Sequence, residues 1–329
     1  MKIGVMGHGP IVEKCLDAIS KVSGSQAIAI YNRPVSAKEG EAIAKKFHLE
    51  KCYTDFEKFL KDDTIDTVYI ALPNSLHYDY ALKILNAGKN AIVEKPFTST
   101  VKETEHLVQI AKEKRKFLFE AITTCHLPNM KALKEHMKEI GELSVVQTNF
   151  SQYSSRYDAF KNGETPNIFN PEFSGGALMD INVYNIHFIV GLFGEPESVS
   201  YFPKKAENGI DTSGIAILQY PNFACSAVAA KDSESKGFAY VQGKDGTLKI
   251  NSHVSRCEEL IITIGQTSKT INLQESDNHL VYEFESFTKV VNEQDYDTCY
   301  KWLEHTRSVM KVLEKARKFA GILFPADQQ

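Results

Sequence analysis

The first third of the chain alternates short, nearly unbroken apolar runs with stretches whose apolar residues recur every three or four positions. Lys2-Ile3-Gly4-Val5-Met6 is such a run, and Ile11, Cys15, Ile19 and Val22 follow it at helical spacing. Strand signals return at Ala27 to Tyr31, Thr67 to Leu72, Asn90 to Glu94 and Phe117 to Ala121. Between them lie amphipathic patterns at Ala37 to Phe47, Asp55 to Leu60, the stretch from His77 through Leu85 with a Gly88 stop, and Val101 to Lys114. Strands alternating with helices predict a parallel sheet covered on both faces. Its order sets three strand ends at one edge: the loop after Met6, the stretch Leu72 to His77, and Glu94-Lys95-Pro96.

The pattern changes after Ala121. A crossover to Pro128 and a helix from Met130 to Ile140 precede β-rich runs at 144–152, 212–220, 224–230, 238–242, 247–250, 260–264 and 270–273, with Asp245-Gly246 as a hairpin turn. Short links between successive strands predict a large, mainly antiparallel open sheet. Two helices close the chain, one with Leu280, Phe284, Phe287 and Val291 on a face, the other with Trp302, Thr306, Val309, Leu313 and Ala316. The expected division is residues 1–121 as an α/β domain and 122–329 as an α+β domain.

Within the second half, Gly175 to Gly194 reads as a helix that is apolar almost all round and therefore buried. At 100° per residue Asp180, Tyr184, His187 and Gly191 fall in one narrow stripe. Polar groups on a buried helix need partners. A substrate with several hydroxyls would supply them, as would mutual hydrogen bonding among the three side chains.

Composition narrows the function classes. The 329 residues are 43% hydrophobic and 24% charged, with a net charge of −4, so no bulk basic field exists to hold a phosphate backbone. Nucleic acid is not an expected partner. No leader pattern precedes the first strand, and no apolar run approaches a membrane span, so a cytoplasmic protein is expected. The six cysteines are scattered and form no metal or disulfide pattern. With no HExxH and no paired His/carboxylate spacing, no metal is expected.

The chemistry gathers at the edge of the first sheet. Gly7-His8-Gly9-Pro10-Ile11-Val12 links a strand to a helix, the context in which a glycine turn brings backbone amides to a pyrophosphate at a helix N-terminus. Val12 departs from the usual small third residue, and a glycine turn without a cofactor fits the same segment. After the second strand, Asn32-Arg33 stands where an acidic residue would accept from the ribose of NAD. Arginine there favours the 2′-phosphate of NADP, with NAD kept open and a solvated loop charge as the alternative. Lys95 ends an inner strand, where open α/β sheets bind ligands, and Pro96 stops it.

Together Gly7-His8-Gly9-Pro10-Ile11, Leu72-Pro73-Asn74-Ser75-Leu76-His77, Glu94-Lys95-Pro96 and Gly175-Gly176-Ala177-Leu178-Met179-Asp180 resemble the glucose-fructose oxidoreductase, inositol dehydrogenase and rhizopine-catabolism (Gfo/Idh/MocA) oxidoreductases. The resemblance implies an N-terminal Rossmann dinucleotide-binding domain and a C-terminal sheet that pairs subunits into a homodimer or homotetramer. It implies that Lys95, Asp180 and Tyr184 are active-site residues, Tyr184 standing where many members carry histidine and Asn182 where glycine is common. It places the cofactor on Gly7, Gly9, Pro10, Ile11, Asn32, Arg33, Leu72, Pro73, Asn74, His77, Glu94 and Lys95.

The expected activity is NAD(P)-dependent hydride transfer between nicotinamide C4 and a carbinol carbon of a sugar, inositol or related polyol. A trans-dihydrodiol or other cyclic diol is the runner-up substrate, and a non-catalytic NADP-binding regulator is the alternative of another class. A phenol near a lysine ammonium has its pKa lowered, so Tyr184 would act as general base while Lys95 stabilises the developing alkoxide. Asp180 would orient a hydroxyl and help keep Lys95 charged. His187 would bind substrate or relay a proton, or else be a core histidine. His77 would contact cofactor or cap its helix. Tyr153 and Arg156, in a polar aromatic segment, would line the substrate site or lie in a surface loop.

Overall fold

Lys2–Met6 (β1) lies at the centre of a six-stranded, wholly parallel sheet in the computed structural model, which describes residues 1–328. Gln26–Tyr31 (β2), Lys51–Tyr53 (β3), Thr67–Ile70 (β4), Asn90–Glu94 (β5) and Leu118–Ala121 (β6) complete it in the order β3-β2-β1-β4-β5-β6. Helices Pro10–Lys21 (α1), Ala37–Lys46 (α2), Phe56–Leu60 (α3), His77–Asn86 (α4) and Val101–Glu113 (α5) alternate with the strands. Ile3, Val5, Val68, Ile70, Ala91, Ile92 and Val93 are all fully buried, as strands covered on both faces require. Met6 pairs with Ile70 and Ile70 with Val93, so the chain leaves β1, β4 and β5 at one level of one edge. The strand order reverses between β1 and β4, which is where open sheets of this kind hold a ligand.

The chain folds as two units, and their makeup differs from the expected cut at 121. Residues 276–306 group with residues 1–98 and 102–121. The reason is the apolar face of Leu280–Asn292 (α9), which packs on α1 and the sheet. Phe287 stacks on Phe119 with ring centres 4.6 Å apart, and Phe284 lies 5.8 Å from Tyr69. An amphipathic helix read along the chain shows that it must cover a core but not which core. The last helix, Tyr296–Phe319 (α10), belongs to the first unit up to Thr306 and to the second from Arg307.

The second unit comprises residues 99–101, 122–275 and 307–328. Its sheet has eight strands: Leu143–Ser151 (β7), Ser198–Lys205 (β8), Asp211–Gln219 (β9), Ala224–Ala230 (β10), Phe238–Gly243 (β11), Gly246–Ile250 (β12), Leu260–Ile264 (β13) and Thr267–Ile271 (β14). They run in the order β14-β13-β12-β11-β7-β10-β9-β8, antiparallel except for the parallel pair β7 and β10. Helices Pro128–His136 (α6), Tyr157–Lys161 (α7) and Val183–Phe193 (α8) accompany the sheet.

Two strands, β3 and β8, were not legible. β3 is only three residues long. β8 is an edge strand carrying Pro203, which edges tolerate because no neighbour needs its missing amide. β14 begins three residues before the expected run, because Gly265 at φ +56° turns the chain immediately after β13.

The stretch Pro171–Phe193 does reach the length and apolarity of a membrane span, contrary to the reading from apolar runs, but 72% of its most apolar window is buried inside the fold. It is the core helix the all-round apolar pattern predicts.

Candidate active site

The nucleotide edge of the first unit begins at Gly7, whose φ of +111° is left-handed and whose Cβ, if present, would run into the Ala71 carbonyl oxygen. The two neighbouring loops can lie this close only because residue 7 has no side chain. Gly9, at the N-cap of α1 with Pro10 at the first helical position, has nothing within 4 Å of its Cβ direction. Its bare backbone faces open space at a helix N-terminus, as a pyrophosphate cradle requires. Val12 is fully buried against the core, so the larger third residue is accommodated by packing.

After β2, Asn32 is 2% exposed, with Oδ1 3.0 Å from His8 Nδ1 and Nδ2 without a partner. Arg33 is exposed and carries no ion pair or side-chain hydrogen bond among the described residues. A buried orphan amide and an uncommitted guanidinium beside the glycine loop fit a dinucleotide's ribose and 2′-phosphate.

His77 is turned inward. It is 1% exposed, with Nδ1 2.9 Å from the Pro96 carbonyl and Nε2 2.9 Å from that of Leu72. Burial lowers its pKa, the two carbonyls opposing and the Lys95 ammonium adding to the effect. The ring ties the loop after β4 to the turn after β5, and so holds Pro73, Asn74 and Lys95 in register. That is a positioning role, beside the cofactor contact or helix cap expected of it.

Glu94 likewise faces the core. Its carboxylate accepts from the hydroxyl of fully buried Tyr69 and, at 3.1 Å, from the Lys95 amide. Lys95 itself is half-buried at the sheet edge and precedes a cis peptide to Pro96.

In the second unit, the Gly175-Gly176 turn is built by close approach. A Cβ on Gly175 would lie 2.6 Å from the Ile168 carbonyl oxygen, and one on Gly176, at φ +106°, would collide with Asp211 Oδ1. Asp211 is 1% exposed, accepts from the Leu178 amide at 2.6 Å and from the Tyr201 hydroxyl at 2.7 Å, and so caps the start of the helix. Leu178–Asn182 then forms a π-helical turn before α8. The expected straight 100° stripe is therefore broken at its first member, a deviation common at functional sites.

Asn182 anchors this segment to β10, donating to the Ala227 carbonyl at 3.0 Å and accepting from Asn185, which reaches the Val228 carbonyl at 3.0 Å. Glycine could make neither bond. Asp180 is ion-paired with Lys231, which follows β10 and was not singled out from the sequence. Tyr184 is half-buried and packs on Phe150, Ile181 and Ala229; Phe150 also stacks on His253, 4.1 Å away.

His187 is 1% exposed with Nδ1 3.9 Å from Cys125 Sγ, the setting of a core histidine. Tyr153 donates to Asp158 at 2.7 Å in a cluster with Tyr157 and Lys161, while Arg156 is exposed without a side-chain partner among the described residues.

Two family models cover most of the chain: an oxidoreductase family with an NAD-binding Rossmann fold over residues 1–122, and the GFO/IDH/MocA C-terminal domain over residues 130–249. The scyllo-inositol 2-dehydrogenase (NADP(+)) IolU of Bacillus subtilis is 36% identical over 329 residues, covering 100% of this chain and 99% of that protein. The chain belongs to the Gfo/Idh/MocA oxidoreductases. The trans-1,2-dihydrobenzene-1,2-diol dehydrogenase of Mus musculus is 27% identical across 100% of this chain and 99% of its own length. Among solved structures, KijD10, a 3-ketoreductase from Actinomadura kijaniata in complex with NADP and TDP-benzene, superposes with a TM-score of 0.84 over 97% of each chain at 20% identity, a likeness of fold.

Proposed function

We propose that this protein is a cytoplasmic NADP-preferring oxidoreductase of small cyclic polyols, with inositols and pyranose sugars first and cyclic trans-diols second. The observation that carries the reading is the full-length similarity to an NADP-dependent scyllo-inositol dehydrogenase, combined with an unpartnered Arg33 beside the glycine loop. When bound, the nicotinamide exchanges hydride at C4 with the carbinol carbon. Gly7, Gly9, Pro10 and Ile11 would hold the pyrophosphate, Asn32 and Arg33 the adenosine ribose and its phosphate, and Leu72, Pro73 and Asn74 the nicotinamide end.

Lys95 hydrogen-bonds the substrate oxygen and stabilises negative charge on it. Tyr184 takes the alcohol proton in oxidation and returns it in reduction. Asp180 accepts from a neighbouring hydroxyl and fixes which carbon is presented. The π-helical turn, the Asp211 cap and the Asn182 anchor give Asp180 and Tyr184 their rigid support. The protein acts as a homo-oligomer through its eight-stranded sheet, whose outer face carries exposed Phe202 and Ile215 directly opposite each other on β8 and β9.

Titrating the purified protein with NADPH and with NADH, followed by steady-state assays on scyllo-inositol, myo-inositol, pyranoses and a cyclic trans-dihydrodiol with NADP+, tests the reading. Tight NADPH binding and turnover of a polyol are expected. Failure to bind either nucleotide overturns it. Sedimentation of the same sample tests the oligomer, which a monomer at micromolar concentration overturns.

A further inference from the structure

Immediately after β10, one of the parallel pair in the second sheet, stands a lysine with no assigned role that is ion-paired to the π-helical turn before α8. Lys231 is 5% exposed, and its side chain pairs with the Asp180 carboxylate across 51 positions of sequence. Its backbone is held on both sides, its amide donating to the Thr212 carbonyl at 2.8 Å and its carbonyl accepting from the Ser154 amide at 2.9 Å. β10 also receives the Asn182 and Asn185 anchors, so the strand that carries Lys231 fixes the helix that carries Asp180. A buried lysine is costly unless paired, and nothing in the packing of a sheet requires one here.

We propose that Lys231 is a positioning residue for substrate recognition, holding Asp180 ionised and oriented so that its carboxylate accepts a substrate hydroxyl. The proposal rests on the reading of Asp180 as a substrate ligand. Asp180 stands on an almost wholly apolar helix, where burial favours the neutral carboxylic acid, which keeps only a weaker acceptor and adds a donating O–H. The ammonium of Lys231 reverses that preference. Burial, the largest influence, raises the carboxyl of Asp211, whose Oδ2 caps the same helix, and the Lys231 ammonium is the weakest of the contacts opposing that shift.

Titratable and charged groups of this unit near the pair include Tyr201 of β8, bonded to Asp211; Asp232, next in the chain and paired with Lys204 of β8 at 2.9 Å; and Tyr184 of α8. Among the described residues, Lys231 makes an ion pair with Asp180 from within its own unit.

The test compares full-length wild type, Lys231→Met, Lys231→Arg, Asp180→Asn and the double variant Asp180→Asn/Lys231→Met. Each is assayed for kcat/KM against pH with scyllo-inositol and NADP+, and for NADPH affinity as a check of the fold. The carboxylate is the stronger acceptor, so activity falls as pH drops and Asp180 is protonated. Losing a cation within about 4 Å raises a carboxyl by about one to three pH units, so the acid limb of Lys231→Met moves up by that much, while Lys231→Arg restores it. In the Asp180→Asn background, Lys231→Met has no further effect on the profile, and thermal unfolding shows the same non-additivity.

An unmoved acid limb in Lys231→Met, with Asp180→Asn impaired, overturns the role of Lys231 and leaves the polyol reading standing. Wild-type kinetics in Asp180→Asn overturn both the positioning role and the assignment of Asp180 to substrate. If the Met variant fails to bind NADPH, the Arg and double variants decide: a normal profile in Arg with additive losses in the double variant overturns the coupling, and non-additive losses support it.

Discussion

Asp211 Oδ2 accepts the backbone N–H of Leu178 at 2.6 Å, so a residue at the start of a strand caps the helix that carries Asp180 and Tyr184. Gly176 makes this approach feasible, since its missing Cβ leaves the space Asp211 Oδ1 occupies. Asp211→Ala orphans the Leu178 amide and the Tyr201 hydroxyl, each costing about 1–3 kcal/mol when buried without a partner. Gly176→Ala forces a left-handed backbone at φ +106° on a residue with a side chain that meets Asp211, a strain of about 1–3 kcal/mol. Both variants should lower the urea midpoint, and the Asp211 variant should also reduce turnover. An unchanged midpoint in both would remove the cap from the account of the site.

Arg33 sits in the loop after β2 with no ion pair or side-chain hydrogen bond among the described residues. A charge-assisted contact to a phosphate contributes about 1.5–3 kcal/mol, so Arg33→Ala should weaken NADPH about ten- to a hundredfold. NADH, which lacks the 2′-phosphate, should lose little. Parallel fluorescence titrations measure both, and equal losses for the two nucleotides would assign Arg33 a role unrelated to that phosphate.

Lys95→Met and Tyr184→Phe separate enzyme from regulator. General acid–base groups contribute about 10²–10⁴-fold, so each variant should lose that much in kcat with NADPH binding intact. Tyr184→Phe keeps the packing against Phe150 and removes only the hydroxyl, which makes it the cleaner of the two. If both variants turned over polyol at wild-type rates, the proton chemistry would have to be assigned elsewhere. If the wild type showed no turnover while both variants kept the protein's biological effect, the regulator reading would replace the enzyme.

What the sequence made legible follows from how local each signal is. The glycine loop, the strand ends at Leu72 and Glu94-Lys95, and the Gly175-to-Asp180 turn are short patterns whose geometry is set within a few residues, and all of them lie on the elements expected. Lys231 carried no such signal. A single lysine after Ala229-Ala230 looks like any strand-end charge, and only the fold brings it to Asp180. Asp211 is invisible for the same reason, because its function depends on a helix 33 residues earlier. His77, at the start of α4, and Glu94, at the end of β5, both turn into the core, since side-chain direction at the end of an element depends on what packs above it. The assignment of α9 failed similarly: its apolar face was clear, and its partner, the first sheet, lies far away in sequence.

Glu94 and Tyr69 give the pH dependence a definite sign. Burial, the largest influence, raises the Glu94 carboxyl above its ordinary value, with the Lys95 ammonium and the Tyr69 hydroxyl opposing it. A carboxyl whose pKa is raised on folding binds its proton more tightly in the folded state. Its contribution to stability is therefore complete below the unfolded value of 4.5 and is lost as pH rises through the folded one. Glu94→Gln keeps an acceptor for Tyr69 and removes the titration. The difference in unfolding midpoint, variant minus wild type, should shift in the variant's favour as pH rises from about 4 to about 7. A difference that stays flat, or moves the other way, would mean that the Tyr69 and Lys95 contacts outweigh burial and hold Glu94 as an ordinary carboxylate beside Lys95.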